Sequence, residues 1–362
     1  MRIEAAIAYP ETERFVLASV ELEEPRETEV MVRLVATGIC HTDLKMLHTP
    51  GTVPRPIVLG HEGAGIVAKV GSGVTKVKPG DHVVMSINSC GHCGNCRQSM
   101  PSYCEDLFAR NFSGTRPDGT TALAREGEHL YSHFFGQSSL ATYCIATERN
   151  VIPVPHDLPL ETLAPLGCGI QTGAGAILNV LKPQPGSSIA IAGTGPVGLS
   201  AIMAAKLSGA TTIVAVDTRD SRLEMAREMG ATHAVNPVGQ DLTAAIRAAS
   251  GPTDWALDTT GNVDVVNGLV AALNPRGTCG VVSNGRSATP INFHPLIFGG
   301  RSITGIAQGG ADPESFIPRM IALHREGKFP FDRMITRYAF RDLNKACDDA
   351  MSGEVLKPVV IF

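Results

Sequence analysis

The sequence predicts an α/β protein in which a β-rich unit is interrupted by a doubly wound parallel-sheet domain, and three observations predict it. At 362 residues the chain exceeds the size at which one hydrophobic core usually stops growing, so two domains are expected. Its first third carries short Val/Ile segments at 30–36, 65–70 and 81–85, broken by Gly and Pro as strands and turns are. From about residue 186 to 283, apolar strands at 188–192, 212–216, 255–258 and 280–283 alternate with Ala-rich helical stretches at 197–207, 221–229, 242–249 and 263–273. That alternation marks parallel βαβ units with helices on both faces. After residue 302 come a strand, helices at 314–325 and about 343–351, and a last apolar run at 359–362, which read as a return to the first unit. The Pro/Gly-bearing stretch 182–186 reads as the lead-in to the inserted domain.

Composition narrows the function. A hydrophobic content of 43% with 18% charged residues fits a soluble globular protein, and a net charge of -4 gives no electrostatic case for nucleic acid. A small metabolite is the expected partner. Residues 1–10 lack a basic segment followed by an apolar run, and no later stretch has the length and apolarity of a membrane span. The expected location is the cytoplasm, with no membrane partner. The nine cysteines cluster instead of spreading along the chain, which favours reduced, metal-binding thiols over a disulfide framework.

Directly after the 188–192 strand stand Gly193, Gly195 and Gly198, in a G-x-G-x-x-G frame that opens the next helix at Val197. The first glycine permits a tight turn, the second lets a pyrophosphate approach the backbone, and the third lets helix and strand pack closely. With 38 glycines a chance match is easy, so the strand-to-helix context carries the assignment. A second strand ends in Asp217, about twenty residues on, where an acid accepts from the ribose hydroxyls of a dinucleotide and repels a 2′-phosphate. Arg219 and Arg222 lie close enough to soften that discrimination, but NAD is the expected cofactor.

Cys90, Cys93, Cys96 and Cys104 share one loop in a C-x-x-C-x-x-C pattern with a fourth Cys. Four thiolates complete a tetrahedron around zinc and leave no open position, so the site is structural; an iron–sulfur cluster uses the same ligands and stays as an alternative. A nucleic-acid-binding ribbon needs basic neighbours, and Arg97 is the only Lys or Arg between residues 86 and 106. Cys40, His61 and Cys168 would make a three-ligand zinc site with a free fourth position, but spacing alone does not select them. A lone Cys is ordinarily a small buried apolar residue.

Over essentially its whole length the chain resembles the zinc-containing medium-chain alcohol dehydrogenases. Segments 38–43 (Gly-Ile-Cys-His-Thr-Asp) and 60–65 (Gly-His-Glu-Gly-Ala-Gly) with Gly71, the four-Cys loop and residues 193–198 occur in that family's order. Within it, residues 165–173 and 134–139 are similar to the aryl-alcohol and geraniol dehydrogenases. The resemblance implies a GroES-like catalytic zinc-binding domain at 1–170 and 308–362, with a Rossmann NAD-binding domain at 171–307. It implies two zinc ions per subunit, a catalytic one on Cys40, His61 and Cys168 and a structural one on the four-Cys loop. Glu62 would lie near the catalytic metal, Asp43 would orient His61, and Thr42 would hold the alcohol hydroxyl and begin proton release. His41 and Lys357 would contact the cofactor pyrophosphate; otherwise they are solvated surface charges. Lys45 stands where many relatives carry the histidine that passes the proton on, so Lys45, His41, His48 or a water chain would serve. Phe134, Phe135 and Ile87 would wall an apolar substrate pocket; otherwise they are core. The implied protein is a homodimeric or homotetrameric enzyme exchanging hydride between NAD and an aryl or allylic alcohol and its aldehyde. A polyol or formaldehyde-conjugate dehydrogenase, and a non-catalytic NAD-binding zinc protein, are the alternatives.

Overall fold

The strand Glu29–Gly38 runs through the first unit with Val30, Val32 and Leu34 buried in one core and Met31 buried in another, so its alternating side chains serve both faces. In the computed structural model, which describes residues 1–49, 51–283, 285 and 289–362, it pairs antiparallel with Gly63–Val70, Tyr143–Thr147 and Lys357–Ile361. The sheet extends outward to Ile335–Ala339 on one side and to His82–Met85 and Val151–Pro153 on the other. A smaller antiparallel sheet runs Ile57–Val58, Arg2–Ala8, Phe15–Leu22, Leu123–Ala124.

Antiparallel pairing places three distant segments at one end of the larger sheet. Gly38 ends the central strand, Gly63 begins its neighbour opposite Thr37, and Lys357 begins the other neighbour, whose Val359 lies opposite Gly38.

The second unit holds six parallel strands in the order His233–Val235, Thr212–Val216, Ser188–Ala192, Thr253–Asp258, Leu273–Val281, Ser302–Gly305. Counted along the chain this is third, second, first, fourth, fifth, sixth. The order reverses beside Ser188–Ala192, and such a switch point opens a crevice at the carboxyl ends of the strands. Helices Pro196–Leu207, Asp220–Met229, Leu242–Ser250 and Val263–Ala272 follow the predicted stretches closely. The expected strand at 280–283 is instead Leu273–Val281. Asn274, Pro275, Arg276 and Gly277 read as a turn, and Arg276 does take φ +67°, yet the ladder begins before them with Leu273 opposite Thr253.

The chain forms two compact units: Met1–Cys168 with Asp312–Ile321 and Asp332–Phe362, and Gly169–Ala311 with Ala322–Phe331. The stretch 182–186 lies inside the second unit, because the helical runs Gly169–Gly175 and Ala176–Leu181 already belong to it. Among the described residues no single helix is long and apolar enough to cross a membrane.

Candidate functional site

Cys40 immediately precedes the helix His41–His48, and its backbone N–H donates to Asp43 Oδ2 at 3.1 Å, a link that turns the chain into the helix. The carboxylate of Asp43 has no solvent exposure; its other oxygen accepts from Gly60 N at 3.1 Å and His61 Nδ1 at 2.9 Å. With Nδ1 bonded to Asp43, the nitrogen left to bind a metal, once deprotonated, is Nε2, which is buried and without a hydrogen-bond partner. Donor atoms of Cys40, His61, Glu62 and Cys168 all lie within 4.8 Å of one another. Two thiols and an imidazole nitrogen, gathered together with all but Cys40 buried, fit zinc.

The electrostatics agree. Cys40 lies well below the ordinary thiol range, chiefly because Cys168 hydrogen-bonds to it, with His61 and Lys357 adding their charge against burial; against its own burial, Asp43 and Cys40 in turn raise His61, so without a metal the ring holds on Nε2 a proton that a bound zinc ion would displace. Cys168 is displaced upward as the donor of that bond and by burial. Burial raises Glu62 to about 7, against the pull of Lys357, whose Nζ is 2.5 Å from Glu62 Oε2. Lys357 is therefore no solvated surface cation: it is 2% exposed, and its ammonium engages Glu62 and the carbonyl of Ile39 at 3.1 Å.

Packing around these donors is tight in ways sequence alone does not reveal. A side chain at Gly38 would put its Cβ 2.0 Å from Glu62 Oε2, and one at Gly167 would meet the Met85 carbonyl at 2.3 Å. Ser86 Oγ donates to the Gly167 carbonyl at 2.7 Å, just before Cys168. The Gln137 amide donates to His61 O at 3.0 Å and accepts from Gly63 N at 3.1 Å, bracketing residues 61–63. Gln137 and Gly167 were visible only as letters in longer motifs; no pattern marks them as supports. The ring of Phe135 lies against His61 with centroids 4.5 Å apart. Phe134, fully buried, packs edge-on to His61, Phe135 and Phe112, so as placed it is core and props Phe135 without presenting a free wall. Ile87 and Phe135 are 6% and 5% exposed. His41 is exposed, while Thr42 and Lys45 are half-buried.

In the second unit, Gly193 has φ +84° at the turn after Ser188–Ala192. A Cβ on Gly198 would sit 1.8 Å from the Gly193 carbonyl, whereas one on Gly195 meets no described atom within 4 Å. Asp217 Oδ2 accepts from the backbone N–H and hydroxyl of Thr194, each at 2.8 Å, and Oδ1 from Arg219 N at 3.1 Å. Arg222 is half-buried; burial lowers its pKa against the opposing charge of Asp217. Val197 lies in the first turn of Pro196–Leu207, the helix that the glycines open.

The sulfurs of Cys90, Cys93, Cys96 and Cys104 also lie within 4.8 Å of one another, as free thiols. A tetrahedron with zinc–sulfur bonds of about 2.3 Å has edges near 3.8 Å, and Cys90 Sγ is 3.9 Å from Cys96 Sγ. Backbone N–H groups of Cys90, Cys93 and Cys96 donate to Cys104, Cys90 and Cys93 sulfurs at 3.2, 3.2 and 3.5 Å, contacts that favour thiolates.

Comparison with known proteins agrees with this geometry. Residues 26–156 match the family "Alcohol dehydrogenase GroES-like domain" and residues 196–325 match "Zinc-binding dehydrogenase". Geraniol dehydrogenase of Castellaniella defragrans is 47% identical over 348 residues, covering 95% of this chain and 93% of that protein. The crystal structure of benzyl alcohol dehydrogenase from Acinetobacter calcoaceticus superposes with a TM-score of 0.96 at 43% identity, covering 100% of this chain and 99% of that one. An alcohol dehydrogenase zinc-binding domain protein from Burkholderia ambifaria gives the same TM-score of 0.96 and the same two coverages at 47% identity. The gathered thiols and imidazole of the first unit, the reversed parallel sheet of the second and these full-length likenesses place the chain in the zinc-dependent medium-chain alcohol dehydrogenase family.

Proposed function

We propose that this dehydrogenase interconverts aryl or allylic primary alcohols, of the benzyl alcohol and geraniol type, and their aldehydes with NAD. The observation that carries the reading is His61, anchored at Nδ1 by Asp43 and leaving a buried Nε2 beside the Cys40 and Cys168 sulfurs. Cys40, His61 and Cys168 would hold the catalytic zinc, and Cys90, Cys93, Cys96 and Cys104 a second, structural one. When bound, zinc supplies a Lewis acid for the alcohol oxygen and NAD supplies the hydride acceptor. Asp43 fixes the imidazole tautomer and ring direction. Thr42 Oγ1 takes the substrate hydroxyl proton toward solvent, with Lys45, His41 or His48 beyond it. Gly193, Gly195, Gly198 and Val197 receive the pyrophosphate, Asp217 the ribose, and Arg222 borders the adenosine end. His41 and Lys357 supply positive charge to the phosphates, for which Lys357 exchanges its Glu62 partner. The working form is a homodimer or homotetramer.

Support for the substrate class comes from the geraniol and benzyl alcohol relatives and from the aromatic surface of Phe135 on His61. Burying a planar apolar group there gains about 1–3 kcal/mol over a short alkyl chain, and conjugation stabilises the aldehyde. The test is kcat/KM for benzyl alcohol, cinnamyl alcohol and geraniol against ethanol and cyclohexylmethanol, together with zinc per chain. The conjugated alcohols are expected to lead; ethanol ahead of them would refute the substrate class. Two zincs without turnover of any alcohol would point to a non-catalytic NAD-binding protein.

A further inference from the structure

We propose that the four-cysteine knot carries a second divalent-cation site on its outer face, built from Cys90, His92 and Asp106 and sharing the Cys90 sulfur with the knot. The donor atoms of these three residues lie within 4.8 Å of one another. Cys93, Cys96 and Cys104 are buried, whereas Cys90 is half-exposed, and His92 and Asp106 are both exposed. Cys90 is thus the most exposed residue of the knot, and its sulfur has an imidazole and a carboxylate beside it.

The sulfur has capacity for both roles. A thiolate carries three lone pairs; the knot ion takes one and the Cys93 N–H, 3.2 Å away, takes another. The third is available to an outer ion. Arg110 Nε approaches one oxygen of Asp106 at 3.5 Å, leaving the other oxygen for a metal. Thiolate, imidazole and carboxylate donors with water completing the shell suit zinc, and bringing the donors to bonding distances of about 2.0–2.3 Å needs rotation of exposed side chains.

Charge favours the arrangement as well. A divalent ion with four thiolates carries a net charge of about -2, so a second cation at its rim is attracted, with Asp106 adding to the pull. Arg149, whose guanidinium flanks Gly91 and bonds Ser89 Oγ at 2.9 Å, tempers that field and keeps the outer site weaker than the knot. A zinc ion captured there can enter the knot by exchanging imidazole and carboxylate for buried sulfurs without releasing Cys90.

The experiment counts zinc by plasma mass spectrometry in the full-length protein after exhaustive dialysis, then again at equilibrium with micromolar free zinc. Zinc retained on dialysis reports the tight sites, and the increment reports the outer one, so the two readings fail separately. One additional zinc per chain is expected, weakened about tenfold or more by His92→Ala or by Asp106→Asn and abolished by the pair, with retained zinc and melting temperature unchanged. An increment that survives in the double variant, or its absence from the unmodified protein, overturns the proposal.

Discussion

Replacing Asp43 by Asn changes one atom in a fully buried carboxylate that accepts three N–H groups: Cys40 N on Oδ2, Gly60 N and His61 Nδ1 on Oδ1. An Asn offers one acceptor and one donor group. With its oxygen facing Gly60 and His61, its NH2 meets the Cys40 N–H donor to donor, leaving a part-buried backbone donor unpaired at a cost of about 1 kcal/mol, the lower end of the buried range. With the amide flipped, two donors lose their acceptor, and the imidazole escapes only by moving its proton to Nε2. That tautomer has no lone pair for the metal. The expected result is a loss of about 10–100-fold in affinity at the catalytic zinc, with the four-cysteine zinc retained. Zinc per chain against a chelator series reads the affinity, and urea unfolding of the metal-free protein reads the packing cost. An Asp43→Asn protein that holds both zincs like the unmodified protein, with stability within about 0.5 kcal/mol of it, would refute the tautomer argument.

Cys168→Ala should remove one zinc per chain and alcohol turnover while leaving the melting temperature nearly unchanged; Cys93→Ala should lower melting temperature or assembly first. Normal turnover in Cys168→Ala would exclude that sulfur as a ligand. Asp217→Gly should narrow the preference for NAD over NADP, measured as the kcat/KM ratio, and raise KM for both because Thr194 loses its 2.8 Å anchors; equal efficiency with both cofactors before mutation would contradict the ribose role. Burial, aided by the charge of Arg116, lowers His133 from 6.5 to about 4. The unfolded chain therefore binds the proton first, and stability present above about pH 6.5 is lost as pH falls toward 4, by at most about 3 kcal/mol. His133→Asn, which tolerates the local φ of +61°, should flatten that part of a urea-midpoint profile against pH; an unchanged profile would place the acid sensitivity elsewhere.

The parts of this fold that were legible in the sequence are those whose physics is local. Ser188–Ala192 and Thr212–Val216 are unbroken apolar runs closed by turn residues, and the prediction matches both ends. The knot is legible because all four cysteines sit on one loop. Leu273–Val281 is not, since Pro275 and Gly277 signal a turn, and the parallel ladder takes up Leu273 before it, skips those residues at an irregularity and resumes at Thr278. His233–Val235 is too short to carry a period. The trio proposed to hold the catalytic zinc is dispersed over residues 40, 61 and 168, and only the common sheet end of Glu29–Gly38 and Gly63–Val70, with the turn before Cys168, joins it. Resemblance selected those three residues; spacing did not. The supports are less legible still, because Gln137 bracketing residues 61–63 is a tertiary hydrogen-bond pattern with no local periodicity.

Glycines separate the two kinds of constraint. Gly38 and Gly198 are obliged by neighbours inside the protein: the virtual Cβ atoms stand 2.0 Å from Glu62 Oε2 and 1.8 Å from the Gly193 carbonyl. Gly193 is obliged by its positive φ. Gly195 is obliged by neither, for its φ of -71° suits any residue and its Cβ would meet no described atom within 4 Å. A glycine at the start of a helix, without backbone strain or a crowding neighbour, gives up a side chain's restriction of the unfolded chain and gains nothing within the folded one. The space it leaves is at the N-terminal end of Pro196–Leu207, where unpaired N–H groups favour an anion. What the folded chain itself does not require there, the pyrophosphate of the proposed NAD site would.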